Sequence, residues 1–201
     1  MSQAVCSSGR IFSIRAPLRH HRSVTSDRGT DASPRQPLSE PHRLDLADVA
    51  TLRQLWDLQR AAYAVEAELI GFDGIPPLHE TLQQLRDRTE SFLGVFDDTG
   101  LVGAVSWARL PDGTLEICRL VVHPRAHRRG IATALLNDLD AMEPADVTVV
   151  STGTANHPAQ TLYRSRGFTP TSTRQIAQGV TITCLERKRD ASPGEPPARE
   201  S

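Results

Sequence analysis

Apolar residues recur three and four positions apart in "ADVATLRQLWDLQRAAYAVEAELI" (47–70), where Val49, Leu52, Leu55, Trp56, Leu58 and Tyr63 share helical spacing and Asp48 stands where a cap belongs. That spacing predicts a first helix. "GFDGIPP" (71–77) interrupts it with Gly and Pro, and "LHETLQQLRDRTE" (78–90) resumes the period through Leu78, Leu82 and Leu85 as a second helix. At Ser91 the texture changes. "SFLGVF", the turn "DDTG", "LVGAVSWARL", the turn "PDG" and "TLEICRLVV" predict three antiparallel strands. Ile131, Leu135, Leu139 and Met142 then line one face of a helix ending at Pro144, and "DVTVVST" (146–152) reads as a further strand. "HPAQTLYRSRGF" (157–168) is a short helix stopped by Gly167, and "TSTRQIA" (171–177) with "VTITCLERK" (180–188) closes the sheet as a last pair. The order predicts an α+β fold, with strand, basic turn, helix and strand at its centre.

The tails differ in texture. Residues 26–41 are rich in Ser, Pro and Asp without apolar period, and the stretch from Asp190 is polar and Pro-rich. The expected organisation is a disordered extension over 1–40, one folded domain over 41–188 and a disordered tail over 189–201. Residues 1–26 hold Arg10, Arg15, Arg19, Arg22 and several serines, with no acid before Asp27. That composition suits a transit peptide, a plain extension or an upstream start, and these alternatives stay open.

Composition narrows the function classes. With 201 residues, 38% hydrophobic, 23% charged and a formal net charge of −1, the chain suits one globular domain and has no overall basic field to draw nucleic acid. Cys6, Cys118 and Cys184 form no C-x-x-C or Cys/His spacing, so neither a disulfide framework nor a zinc site is expected. His79, His123 and His157 have no ligand spacing, and no metal is expected. No apolar run nears the roughly 18 residues of a membrane span. A cytoplasmic protein without a membrane or nucleic-acid partner is expected.

"HPRAHRRGIATALL" (123–136) crowds positive charge onto one strand-to-helix turn. A helix start offers unpaired amides and the positive dipole end, a setting for phosphate where Gly130 and Ala132 permit close approach. Arg125, Arg128 and Arg129 would pair with phosphate oxygens at its rim, and Thr133 adds a hydroxyl. A solvated basic turn is the alternative. Neither G-x-x-x-x-G-K-[ST] nor G-x-G-x-x-G occurs, which sets aside the common nucleotide loops.

"EICRLVVHPRAHRRGIATALL" followed by "TANHPAQTLYRSRGF" resembles the GNAT superfamily of N-acetyltransferases. The first motif reads His127, Arg128, Arg129, Gly130, Ile131, Ala132, with His127 where the family usually has Gln or Arg. The second is Asn156, Ala159, Leu162-Tyr163 and Gly167-Phe168. The resemblance covers about residues 43–188. It implies a three-layer fold, with a mostly antiparallel sheet flanked by helices and a parallel strand pair at the cofactor cleft. It implies acetyl-CoA as co-substrate, its pantetheine arm pairing with Leu120, Val121 and Val122 and its diphosphate lying on Arg128, Arg129, Gly130, Ile131, Ala132 and Thr133. Asn156 would bond the arm and Tyr163 would protonate the leaving sulfur. A backbone NH around Val121 would hold the oxyanion, and Glu116 would be the general base, a surface ion pair with Arg119 or Arg109 being the alternative for that residue.

In this superfamily the acceptor is shaped by the first two helices and their loop. Glu66 and Glu68 would attract a cationic amine there, with Tyr63 and Phe72 as walls. Ser151 stands where members that acetylate ribosomal-protein N-termini carry Glu, which favours a small-molecule primary amine. A protein lysine or N-terminus, and a non-catalytic acetyl-CoA-binding regulatory domain, are the other readings. Cys118 as a covalent carrier and His123 or His157 as proton shuttles are minor ones. Homodimerisation is left open.

Overall fold

The computed structural model describes residues 37–189, so the expectations for 1–36 and 190–201 lie outside the described residues. Seven strands form one sheet in the order β1-β2-β3-β4-β5-β7-β6. They are β1 (His42–Arg43), β2 (Ser91–Asp97), β3 (Gly100–Arg109), β4 (Leu115–Val122), β5 (Val147–Gly153), β6 (Thr169–Ala177) and β7 (Val180–Lys188). Every neighbouring pair is antiparallel except β4 with β5. The helices are α1 (Val49–Ile70), α2 (Pro76–His79), α3 (Leu82–Arg86), α4 (Ile131–Met142) and α5 (His157–Ser165). The α+β, mostly antiparallel architecture is the one the sequence predicts.

Two apolar clusters cover the two faces of the sheet. On one, Leu52, Leu55 and Leu58 of α1 and Leu85 of α3 pack with Phe92, Ala104 and Val121. On the other, Ile131, Leu135, Leu136 and Leu139 of α4 and Tyr163 of α5 pack with Val105, Trp107, Leu115, Ile117, Val150 and Phe168. The alternation of β4 sends Leu115 and Ile117 toward α4 and α5 and therefore Glu116 toward α1. Met142, assigned to the buried face of α4 by spacing, is 42% exposed, and Leu136 takes that role.

The sequence and the structure part at four places. The single helix over 78–90 is instead two short helices, because Glu80 is extended (φ −70°, ψ 131°) and Thr81 caps α3 in a reciprocal capping box with Gln84. β1 was not foreseen, and its two residues carry no strand period of their own. β6 starts at Thr169, ahead of the Thr171 expected. The final hairpin also folds back so that β7 lies against β5 and β6 forms the edge, an order that strand periodicity does not encode.

Gly103 sets how closely α4 approaches the sheet, since a Cβ there would lie 2.3 Å from Ile131 Cγ2 and 3.3 Å from Leu135 Cδ1. Gly103→Val should therefore cost about 1–3 kcal/mol by overpacking, read as a lower urea midpoint at unchanged slope.

Candidate active site

β4 and β5 share only three register pairs, Leu115 with Thr148, Glu116 with Val149 and Ile117 with Val150. From Cys118 onward β4 is paired on one side, to β3, and the end of β5 is paired to β7. A bulge marks the parting: Trp107 faces Ile117 and Ser106 faces Arg119, leaving Cys118 as the extra residue. One side of the β4 backbone over 118–122, including Leu120, Val121 and Val122, is thus turned to the opening between the two parallel strands. Two of these residues have commitments of their own. Val121 lies opposite Ala104 and is buried in the α1 cluster, and the Val122 carbonyl accepts from His127 Nε2 at 3.1 Å.

The chain leaves β4 through a short 3-10 turn, Pro124–Ala126, and enters α4 at Gly130. Arg128 (φ 61°) and Gly130 (φ 79°) are both left-handed, which bends the backbone sharply into the helix. No side chain caps α4, whereas Asp48, Thr81 and Asn156 cap α1, α3 and α5. The amides of Gly130, Ile131, Ala132 and Thr133 are those that a helix leaves without intrahelical acceptors, and Gly130 and Thr133 are exposed.

The arginines do not all ring this helix start as expected. Asp97, its carboxylate fully buried at the end of β2, binds Arg125 at 2.7 and 3.1 Å and Arg129 at 3.4 Å. The bond from Arg125 holds the Asp97 carboxyl well below the usual carboxylate range; burial opposes the shift, and bonds from Thr99 reinforce it. Two of the three guanidinium groups therefore brace the turn against β2, and the Arg128 side chain is exposed. The charge run is in part internal neutralisation. His123 is similarly committed: its Nδ1 accepts from the Arg125 amide at 3.2 Å, and burial, then Arg125 and His127, hold its pKa down.

α1 lies across the opening. Gln59 near its middle bonds Arg119 of β4 at 2.7 Å, while Ile70 at its end sits over β5: a Cβ on Gly153 would lie 2.8 Å from Ile70 Cγ2 and 3.7 Å from Glu66 Oε1. Tyr63 and Glu66 stand between these anchors on the same helical stripe, four and seven residues beyond Gln59. Burial raises the Tyr63 hydroxyl pKa above its ordinary value; Arg119 opposes this, and Glu66, Glu90 and Tyr163 add to it. Tyr163 is buried on α5 with its ring edge-on to Phe168 at 5.5 Å, and burial, then Glu66, raises its pKa too. Tyr63, Glu66 and Tyr163 are thus within electrostatic range of one another. Phe72 lies instead on its own loop, where a Cβ on Gly74 would meet its ring at 2.3 Å.

Glu116 sits on the α1 face, one residue before the strands part, and its charge is felt by Cys118. Burial first, then Glu90 and Glu116, push the Cys118 thiol up to about 12, far from a thiolate at neutral pH. Asn156 is an N-cap whose Oδ1 accepts from the Ala159 amide at 3.2 Å, so that oxygen is already engaged. Among the described residues no group of three His, Cys, Asp or Glu is placed to hold a metal. No helix among them is long and apolar enough to cross a membrane.

The sequence suggests Arg119 only as a surface ion-pair partner for Glu116, and the structure buries it in a cluster of its own. Only 6% exposed, it binds Glu80 at 2.6 and 3.2 Å, Glu90 at 3.0 and 3.2 Å and Gln59 at 2.7 Å. Ser106 donates to Glu90 at 2.6 Å and Arg88 to Glu80 at 2.6 Å, completing a buried polar cluster. The one signal available was an Arg at an inward position of an alternating strand. Its partners lie 29, 39 and 60 residues away, beyond any periodicity.

The sequence model of the Acetyltransferase (GNAT) family matches residues 52–168, and the chain belongs to that family. It is 39% identical over 132 residues to the UPF0157 protein YqkA of Bacillus subtilis (strain 168), over 65% of this chain and 38% of that protein. The chain thus spans about two fifths of the length of that relative. Among solved structures, the PaiA N-acetyltransferase of Thermoplasma acidophilum in complex with coenzyme A shares the fold with a TM-score of 0.59 and 17% identity, over 76% of this chain and 99% of that one. The ribosomal-protein-alanine N-acetyltransferase of Brucella melitensis shares it at 0.56 and 18%, over 74% and 99%. The likeness to these two structures, both under 25% identical, is one of fold.

Two outcomes are expected. Glu80 and Glu143 are held below the ordinary carboxylate range, like Asp97, because bonds from Arg119 and Arg88 and from Arg109 and Arg43 outweigh the opposing effect of burial. With depressed folded-state values the unfolded chain binds more protons in acid, so the stability these pairs contribute is present above about pH 4.5 and is lost as pH falls further; thermal melts across pH 3–6 check the slope. Thr133→Asp places a carboxylate in the first turn of α4, which favours the helix by about 0.3–1 kcal/mol yet repels a diphosphate. Melting temperature should hold or rise while acetyl-CoA Kd, by calorimetry, rises about tenfold or more.

Proposed function

We propose that this acetyltransferase passes acetyl directly from acetyl-CoA to a small primary amine bound beneath α1. The observation that carries the reading is the span of α1 across the opening between β4 and β5, which sets Tyr63 and Glu66 over the place where a thioester would lie. In this reading the diphosphate rests on the uncapped amides of residues 130–133 and the pantetheine arm follows β4 at Leu120 and Val121. Glu66 attracts the ammonium form of the acceptor, and Glu116, on the same face of the sheet, takes its proton. The neutral nitrogen attacks the thioester carbonyl, the oxygen gains charge beside the backbone amides of β4 near Val121, and the C–S bond breaks as Tyr163 gives its proton to the sulfur; the acylated nitrogen sheds its extra proton, which restores the tyrosine hydroxyl through solvent.

The perturbed side chains support direct transfer. Burial and Glu66 keep the Tyr163 hydroxyl protonated. The raised Cys118 pKa speaks against an acetyl-cysteine carried between half-reactions. A panel of primary amines assayed for thiol release from acetyl-CoA, with mass detection of the product, tests the function; no product with any amine would favour a binding domain. Tyr163→Phe should lower kcat about 100-fold or more while acetyl-CoA Kd stays put, and unchanged turnover would remove Tyr163 as the acid.

A further inference from the structure

The buried cluster around Arg119 joins the two halves of the site. Arg119 is part of the bulge of β4, where the strand turns its backbone to the opening, and its guanidinium reaches three elements of the acceptor side at once. Gln59 belongs to α1, four residues before Tyr63. Glu80 is the extended residue between α2 and α3, and Glu90 immediately precedes β2. Arg88 binds Glu80 from the same segment, and the Trp56 indole donates to the Glu80 carbonyl at 2.7 Å. No polar side-chain atom buried among the described residues lacks a partner, so the cluster is fully bonded. A buried carboxylate, Glu80, and a partly buried one, Glu90, share one guanidinium fork and fix a single geometry, because any shift of the fork would leave the buried Glu80 charge unpaired.

We propose that Arg119 is the positioning residue of the reaction, locking α1 and the 71–90 segment to the β4 bulge so that the acceptor amine meets the thioester carbonyl. The inference rests on the acceptor placement proposed above. The diphosphate turn is braced separately, through Asp97, Arg125 and Arg129. The turn at 125–130 thus keeps its own support when Arg119 is lost.

Full-length Arg119→Lys tests this, since lysine keeps the charge but not the fork. With the amine that the wild type acetylates from a panel of spermidine, lysine and an aminoglycoside, kcat/KM for the amine should fall at least about tenfold while acetyl-CoA Kd is unchanged. Amide hydrogen exchange should quicken over residues 71–90 and stay slow in α4. Amine kinetics at wild-type level, or amine and acetyl-CoA parameters declining together with exchange over the whole domain, would overturn it. Should Arg119→Lys fail to fold, Gln59→Met removes one contact only and should show the same split, more weakly; no split there overturns the proposal. If the wild type acetylates no amine, the acceptor reading fails, and exchange still decides the lock: quickening confined to 71–90 supports it, and uniform or absent quickening overturns it.

Discussion

Two parallel strands that hold three residue pairs and then separate impose a demand on everything around them. Past Ile117 and Val150 the backbone of β4 keeps its antiparallel partner but not its parallel one, and strand-edge amides and carbonyls exposed in this way favour another extended chain. The bulge at Cys118 lies at the parting and turns the strand there. Immediately downstream, the chain enters α4 without a side-chain cap, so polar backbone along the strand continues into polar backbone at the helix start. A thioester carrier with an amide-bearing arm and a diphosphate matches that sequence of groups, which is the co-substrate of the family to which the chain belongs.

The charges near the opening act mainly on one another. Asp97 ties Arg125 and Arg129 to β2, so the basic turn owes its shape to an internal ion pair and its anion-binding potential chiefly to backbone dipoles. On the opposite face, Arg119 and Arg88 balance Glu80 and Glu90 in a cluster whose formal charges cancel. Glu66 and Glu116 lie on the α1 side of the sheet. Glu66 acts on two tyrosines whose hydroxyls burial keeps protonated.

Much was legible in the sequence because it depends on neighbours in the chain. The amphipathic stripe of α1, the cap at Asp48, the glycine at the start of α4, the alternation of β4 and the two family motifs are local patterns, set by helix and strand periods and by backbone freedom at single positions. They establish the α+β class, the place of Gly130 at the strand-to-helix turn and that of Tyr163 on the short helix after β5. What they could not decide is which polar groups find each other across long separations. Whether Arg125 and Arg129 face a ligand or Asp97, whether 78–90 is one helix or two, that Glu80 is extended to meet a guanidinium 39 residues on, and that β7 lies inside β6 are settled only when the sheet and helices pack. Burial gives the reason: a charged group forced out of water must take whatever partner the fold brings to it, and that partner is chosen by tertiary geometry, not by spacing in the chain.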